Sequence, residues 1–356
     1  MRFLLVLLLL TTTAVKGQSG GGKLIPAVDF GHYQPVGVAI SSQGRLFVSF
    51  PKWSDEYRYG LVEVSPDGTK RPYPDETWNR WDTTAAQQRF VSVQALFIDS
   101  DDNLWVLDPA NPDFGKSMPA GVKLLRIDLR TNKLVRVYRF EDLPLDKASL
   151  NDVQVDLRRQ MAYLSDPGRA AIVVLDLKTG KSRTLLEKHP STVADPNFVL
   201  RIDNQDVRDN KDKPFSSNVN GIALTPDGQY FYYRPITQTK LFRIRTQLLA
   251  DANLTADQVA AGVETVGEAG VSHGMIADKE NNVYMGDSQA KTIHRFTPAG
   301  KLEAVAKDER LWWPDSFAIS PDGYLYVTAA QYERLPKFNN GQNKVSYPFW
   351  LYKVKL

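Results

Sequence analysis

One phrase recurs six times along this chain of 356 residues: a short apolar strand, a polar turn, then a strand rich in aromatic and β-branched residues. The first copy runs Val36-Gly37-Val38-Ala39-Ile40, turns at Ser41-Ser42-Gln43-Gly44, and continues as Arg45-Leu46-Phe47-Val48. The others couple residues 95–98 with 104–107, 153–155 with 161–164, 221–224 with 230–233, 274–277 with 283–285, and 317–319 with 324–327. Clusters such as Pro226-Asp227-Gly228 and Pro321-Asp322-Gly323 between β-rich runs are hairpin signals. A small sheet cannot bury both of its faces alone, so copies spaced by roughly 40–70 residues predict a ring of stacked sheets. The second and third units extend to four strands, through residues 123–129 and 134–138 and through residues 172–177 and 182–186. The sixth reaches only a third strand, residues 350–354, so its fourth is expected from residues 24–30, which would leave no free sheet edge. The expectation is an all-β fold: a six-bladed β-propeller with four-stranded blades, closed by the N-terminal strand, in one domain over residues 24–356. A short helix is expected within residues 248–261.

The N-terminus bears on the compartment. Arg2 precedes an apolar run, residues 3–10, and then Thr11-Thr12-Thr13-Ala14-Val15-Lys16-Gly17, the charge, length and small-residue exit of a secretory signal peptide. Residues 1–17 are therefore expected to be cleaved and residues 18–23 to form a flexible Gly/Ser-rich tail, giving a secreted or periplasmic protein. The run is too short to span a bilayer. A net charge of +3, from acids and bases spread along the chain, carries neither a nucleic-acid footprint nor a membrane-binding patch. A monomer with a small-molecule ligand or substrate is expected. There is no cysteine, so stability rests on the core and on ring closure.

In a propeller the first strand of each unit lines the central channel, and the residue just before it projects at the channel mouth. Around the ring this position holds Gln34, Gln94, Asn151 with Asp152, Asn220, His273, and Asp315 with Ser316, all polar or ionisable. A polar ring at a concave mouth is a candidate site, although each side chain could instead cap its own turn. His273 would serve as a general base if a carboxylate oriented it, and Asp315 is the neighbour in the next unit. Asp108, Asp166 and Asp287 end the second strands of three units and read first as strand-terminating turns. Alternatively they supply carboxylates to the channel, with Arg234 as a partner for one of them. Trp53, Trp78, Trp81, Trp312, Trp313, Tyr332 and Phe338 fall in connections near the same mouth, Tyr332 and Phe338 within a long loop, residues 331–348. Stacking and cation–π contacts would suit an aromatic or amine ligand, and packing between blades is the alternative use. No phosphate-binding Gly-rich loop, His-Glu-x-x-His helix or Gly-x-Ser-x-Gly elbow is present.

The stretches Gln34-Pro35-Val36-Gly37-Val38-Ala39, Leu150-Asn151-Asp152-Val153, Ala162-Tyr163-Leu164-Ser165-Asp166 and Trp313-Pro314-Asp315-Ser316-Phe317-Ala318, in this order and spacing, resemble the major royal jelly and yellow protein family. That resemblance implies a secreted six-bladed propeller with a ligand-binding central channel. Members of that family include pigment-pathway proteins, some linked to dopachrome conversion, binders of biogenic amines, and nutritive proteins, so the activity stays open. The lack of cysteines departs from the insect members. More distantly, Asn220-Gly221-Ile222-Ala223-Leu224-Thr225-Pro226-Asp227-Gly228 is similar to the senescence-marker and gluconolactonase propellers, whose channel holds a divalent metal such as calcium. Asn151 and Asn220 match the two amide ligands of that pattern, whereas His273-Gly274-Met275 and Gln34 stand where acids are required. Two functions follow as expectations. The first is a binder that holds an amine, phenol or sugar-derived molecule with Gln34, Gln94, Asn151, Asp152, Asn220, Ser316 and Trp313. The second is an enzyme at the same site, either a metal-dependent lactonase-like hydrolase or a dopachrome-type isomerase using His273 and Asp315.

Overall fold

A computed structural model describes residues 21–356, so the expected signal peptide, residues 1–17, lies outside the described residues. Six antiparallel four-stranded sheets surround one axis. Their innermost strands are Val38–Ile40, Ala95–Ile98, Asp152–Asp156, Val219–Leu224, Met275–Ala277 and Pro314–Ile319, blades 1 to 6 in order. Each coincides with the first half of a repeated phrase, a short apolar run beside turn residues. The sixth sheet is completed by Ile25–Asp29 pairing antiparallel with Trp350–Lys355, from Ile25 opposite Lys353 to Asp29 opposite Trp350. The first and last described strands thus share one blade, as the count of strands required. Contact starts before residue 24: the Gly22 amide donates to the Val305 carbonyl at 2.7 Å, which ties the end of the expected tail to blade 5.

Large side chains fill the wedges between blades. Trp105, Leu107 and Leu124 of blade 2 pack with Val153, Leu164 and Val173 of blade 3, all buried. The Trp105 indole N–H donates to Asp99 at 2.8 Å, so its one polar atom is satisfied. The helix expected within residues 248–261 is two short helices, Thr246–Ala250 and Ala256–Ala260. Thr255 breaks the run because its side chain and that of Gln258 form a capping box, which favours a new start over continuation. The link between blades 3 and 4 adds a small hairpin, Arg201–Ile202 with Gln205–Asp206, which no repeat signalled.

Candidate functional site

The inner strands enclose a channel of about 360 Å³. Its walls mix apolar residues, among them Val38, Leu96, Met275 and Phe317, with polar ones, among them Gln154, Asp156, Arg158 and Thr225. One end lies between Ser100, Arg158 and Pro226, at hairpin turns exposed to solvent, and there the channel opens. The other end stops at Asp152, Gly274 and Ser316, where the strands crowd together. Two glycines permit that approach. A Cβ on Gly221 would lie 2.8 Å from the His273 carbonyl, and a Cβ on Gly274 would run into the Asp315 carbonyl.

Beyond this constriction an aromatic cap covers the mouth. Trp313 is buried, stacks on His273 with centroids 3.8 Å apart, and meets Phe215 edge-on at 5.2 Å and Tyr332 at 4.9 Å. Trp53 and Phe114 stack at 4.8 Å and both touch Tyr332. Five segments contribute: the connections of blades 1, 2 and 6, and the links before blades 4 and 6. Trp313 adopts a left-handed backbone with φ of 54°, at a cost on the order of 1 kcal/mol, which its burial between His273 and Phe215 offsets. The ring residues therefore lie at the covered end of the channel, and the open end is the opposite face.

The residues expected from sequence fall into separate roles. Asp152 and Ser316 line the channel. Asp152 comes from blade 3 and Asp315 from blade 6, which stand opposite each other across the axis. Irregular pairing between Pro314 and Phe317, and between Val219 and Ile222, marks bulges that present Asp315 with Ser316, and Asn220, at the constriction. The Asp152 carboxylate accepts from the Val153 amide at 2.8 Å, and the Ser316 amide donates to the Thr328 hydroxyl at 3.0 Å. Burial pushes the Asp152 carboxyl up to about 7, with the Asp315 charge adding to the rise. Burial alone takes Asp315 up to about 7. The Asp152 carboxyl thus senses the Asp315 charge, and both carboxyls hold protons far above the ordinary carboxylate range. Gln34 donates its side-chain amide to the Ala330 carbonyl at 2.5 Å, which closes blade 1 onto blade 6. Gln94 is buried, and its carbonyl accepts from Ser49 at 3.2 Å. Asn151 is held by its amide to the Ser165 carbonyl at 2.9 Å and stays half-buried.

His273 does not meet Asp315 by its imidazole, as the sequence suggested. Its Nε2 lies 2.9 Å from the Ser288 hydroxyl, its Nδ1 is buried without a partner among the described residues, and burial lowers its pKa to about 3. The ring is neutral and shielded by Trp313. The three strand-ending acids serve backbone turns: Asp108 accepts from Val91, Ser92 and Ala110 and pairs with Lys123 at 2.9 Å, all out of solvent. Asp166 accepts from Ser149 at 2.8 Å, and Asp287 from Ala290 at 2.9 Å. Arg234 is fully buried and donates to the carbonyls of Ala269, Gln238 and Gly270 rather than to an acid. Sequence reasoning passed over Lys337, whose ammonium sits among the cap aromatics; a lysine in a polar loop carries no signal that distinguishes it from a solvated one.

A calcium centre takes six to eight oxygen ligands, drawn from carboxylates, backbone and Asn or Gln carbonyls, and water. No three His, Cys, Asp or Glu side chains converge in a metal-holding group among the described residues. The two acid positions of the lactonase-type pattern hold Gln34, which donates to the Ala330 carbonyl, and His273, which meets Ser288, so the residues at those positions do not supply its donor set.

Relatives frame this geometry. The family model "Major royal jelly protein" matches residues 91–356. Major royal jelly protein 1 of Apis mellifera is 26% identical over 192 residues, 50% of this chain and 41% of that protein. Major royal jelly protein 3 of the same species is 24% identical over 208 residues, 53% of this chain and 34% of its own length. These matches span less than half of either relative. Among solved structures, a gluconolactonase from Xanthomonas campestris superposes with a TM-score of 0.57 at 13% identity, covering 97% of this chain and 93% of that one. The calcium-binding protein regucalcin from Agrobacterium tumefaciens superposes with a TM-score of 0.56 at 17% identity, covering 94% of each chain. At such identities the superpositions establish the shared propeller and nothing of the chemistry. The match over residues 91–356, blades 2 to 6, decides the family: the chain belongs to the major royal jelly protein family.

Proposed function

We propose that this protein binds a small organic amine in its central channel, the ammonium between Asp152 and Asp315 and the hydrocarbon part along the apolar wall. The observation that carries this reading is the Asp152 carboxyl lining the closed end of a channel of about 360 Å³, with the Asp315 carboxyl beside the lining residue Ser316 and near enough for its charge to raise the Asp152 pKa. Such carboxyls hold a proton for want of a counter-charge, and an entering ammonium supplies one. The volume lies within the usual range for small-molecule sites, and Val38, Leu96 and Phe317 favour an aromatic or aliphatic body. The ligand enters between Ser100, Arg158 and Pro226. The apolar run of residues 3–10 supports export, so the amine is met outside the cytoplasm.

Calorimetric titration with phenethylamine and with its neutral analogue 2-phenylethanol tests the reading. The amine is expected to bind at least tenfold more tightly, and Asp315→Asn to erase the preference. Equal affinity for the two compounds overturns it. A second reading rests on the same pair: one protonated and one ionised carboxyl near neutrality could shuttle a proton in a tautomerisation of the dopachrome type. Turnover of dopachrome that disappears in Asp152→Asn would support that reading.

A further inference from the structure

Sequestered lysines elsewhere in this chain meet acids. Lys123 Nζ lies 2.9 Å from Asp108, Lys52 Nζ 3.3 Å from Asp55, and Lys291 Nζ 3.3 Å from Asp203. Lys337 meets no acid among the described residues, and burial lowers its pKa to about 7, so it fills its site as an ammonium in neutral to acidic solution. Its ammonium lies 3.3 Å from the Phe114 ring centre, 3.9 Å from Tyr332 and 5.0 Å from Phe338, and it donates to the Tyr332 hydroxyl. Trp53 backs this arrangement, stacked on Phe114 and edge-on to Tyr332 at 5.4 Å. Aromatic faces turned towards one cation form the arrangement that recognises organic ammonium ions, because each ring offers its negative face where water would otherwise solvate the charge.

The cage is built from two parts of the chain. Phe114 belongs to the blade 2 connection, while Tyr332, Lys337 and Phe338 belong to the long blade 6 loop. That loop is pinned at its base by Gln331, which exchanges two hydrogen bonds with Ser346 at 2.8 and 2.9 Å. Its tip rests on Asn210, whose amide donates to the Lys337 carbonyl at 3.0 Å and whose side chain accepts from the Asn340 amide at 3.0 Å. Phe114, Tyr332, Lys337 and Phe338 do not line the channel, so the cage lies outside it, with Tyr332 alone sensing the Asp315 charge.

We propose that this aromatic cage is a second binding site, for a small organic ammonium ion, which the chain keeps filled with its own Lys337. The lysine is a tethered occupant that latches the loop across the covered mouth. A free ammonium ion competes with it for the same ring faces and releases the latch.

Tetramethylammonium is the probe, since it offers charge without a hydrogen-bond donor. Lys337→Ala empties the cage and is expected to bind it at least tenfold more tightly than the wild type, read by calorimetry and by the fluorescence of the neighbouring tryptophans. Adding Phe114→Ala to that variant is expected to abolish the gain. Lys337→Met, which fills the cage with an uncharged chain, is expected to bind no better than wild type. In the unmodified protein, tetramethylammonium is expected to raise the rate of Lys337 acetylation severalfold, read by peptide mass spectrometry, while sodium chloride at equal ionic strength does not. A folded Lys337→Ala variant that gains no affinity, or acetylation that ignores tetramethylammonium, overturns the proposal. Both readouts are expected to persist in Asp152→Asn and Asp315→Asn, so a failed channel reading and a failed cage are told apart.

Discussion

Replacing Asp152 with Asn should stabilise the protein in alkaline solution and leave it nearly unchanged in acid. Folding raises the Asp152 pKa from 3.8 to about 7, chiefly by burial, so the native state holds the proton more tightly than the unfolded chain. The stability this gives is complete below the ordinary carboxylate range and is lost as pH rises through about 7. A shift of about 3 units at ~1.36 kcal/mol each sets an upper bound of about 4 kcal/mol. Contact with channel water screens part of it, leaving about 1–3 kcal/mol. The Asn amide oxygen can still accept from Val153, so the substitution removes the charge and little else. Thermal melts at about pH 4 and about pH 8 should coincide at the first and differ by roughly 2–4 °C at the second, the variant melting higher. His273 acts with the opposite sign: its pKa is lowered to about 3, so its stabilisation is present above the ordinary histidine range and is lost as pH falls towards 3. That contribution is common to both proteins and cancels in the comparison. A variant that is destabilised, or displaced equally at both pH values, would refute the reasoning and make Asp152 an ordinary turn-capping residue.

Other outcomes follow from the packing. Trp313→Ala removes the ring that shields His273 and should cost about 3–5 kcal/mol in urea unfolding; a loss below about 1 kcal/mol would mean that the cap closes without it. Gly274→Ala drives a methyl into the Asp315 carbonyl and should destabilise by about 1–3 kcal/mol or more while weakening amine binding; an unperturbed protein would contradict the tight constriction. Deleting residues 1–30 strips Ile25–Asp29 from the sixth blade and exposes the edge of Trp350–Lys355, so the melting temperature should fall and association should appear in sedimentation; unchanged melting would contradict closure by this strand.

The blades were legible because their signals are local. Val36 to Ile40 and its five counterparts set short apolar runs against turn residues, and the sixth unit, which reaches only a third strand at residues 350–354, pointed back to residues 24–30 for its fourth. Asp152, Asp315 and Ser316 were legible because the repeat is a ruler, and a ruler transfers a position from one blade to the next. Which end of the channel is open was not. That depends on Trp53, Phe114, Phe215 and Tyr332, which lie in connections without periodicity and meet only in three dimensions. The partner of His273 was hidden for a related reason: Ser288 follows the strand Val283–Asp287, and only the fold of that hairpin brings it to the imidazole instead of Asp315.

A crystal structure of the protein with phenethylamine tests the central claim most directly. The account predicts the ammonium in contact with Asp152 and Asp315, the phenyl ring beside Phe317, and the aromatic cap closed above them. An amine seated on the Trp53 face, outside the channel and away from both carboxyls, would contradict it.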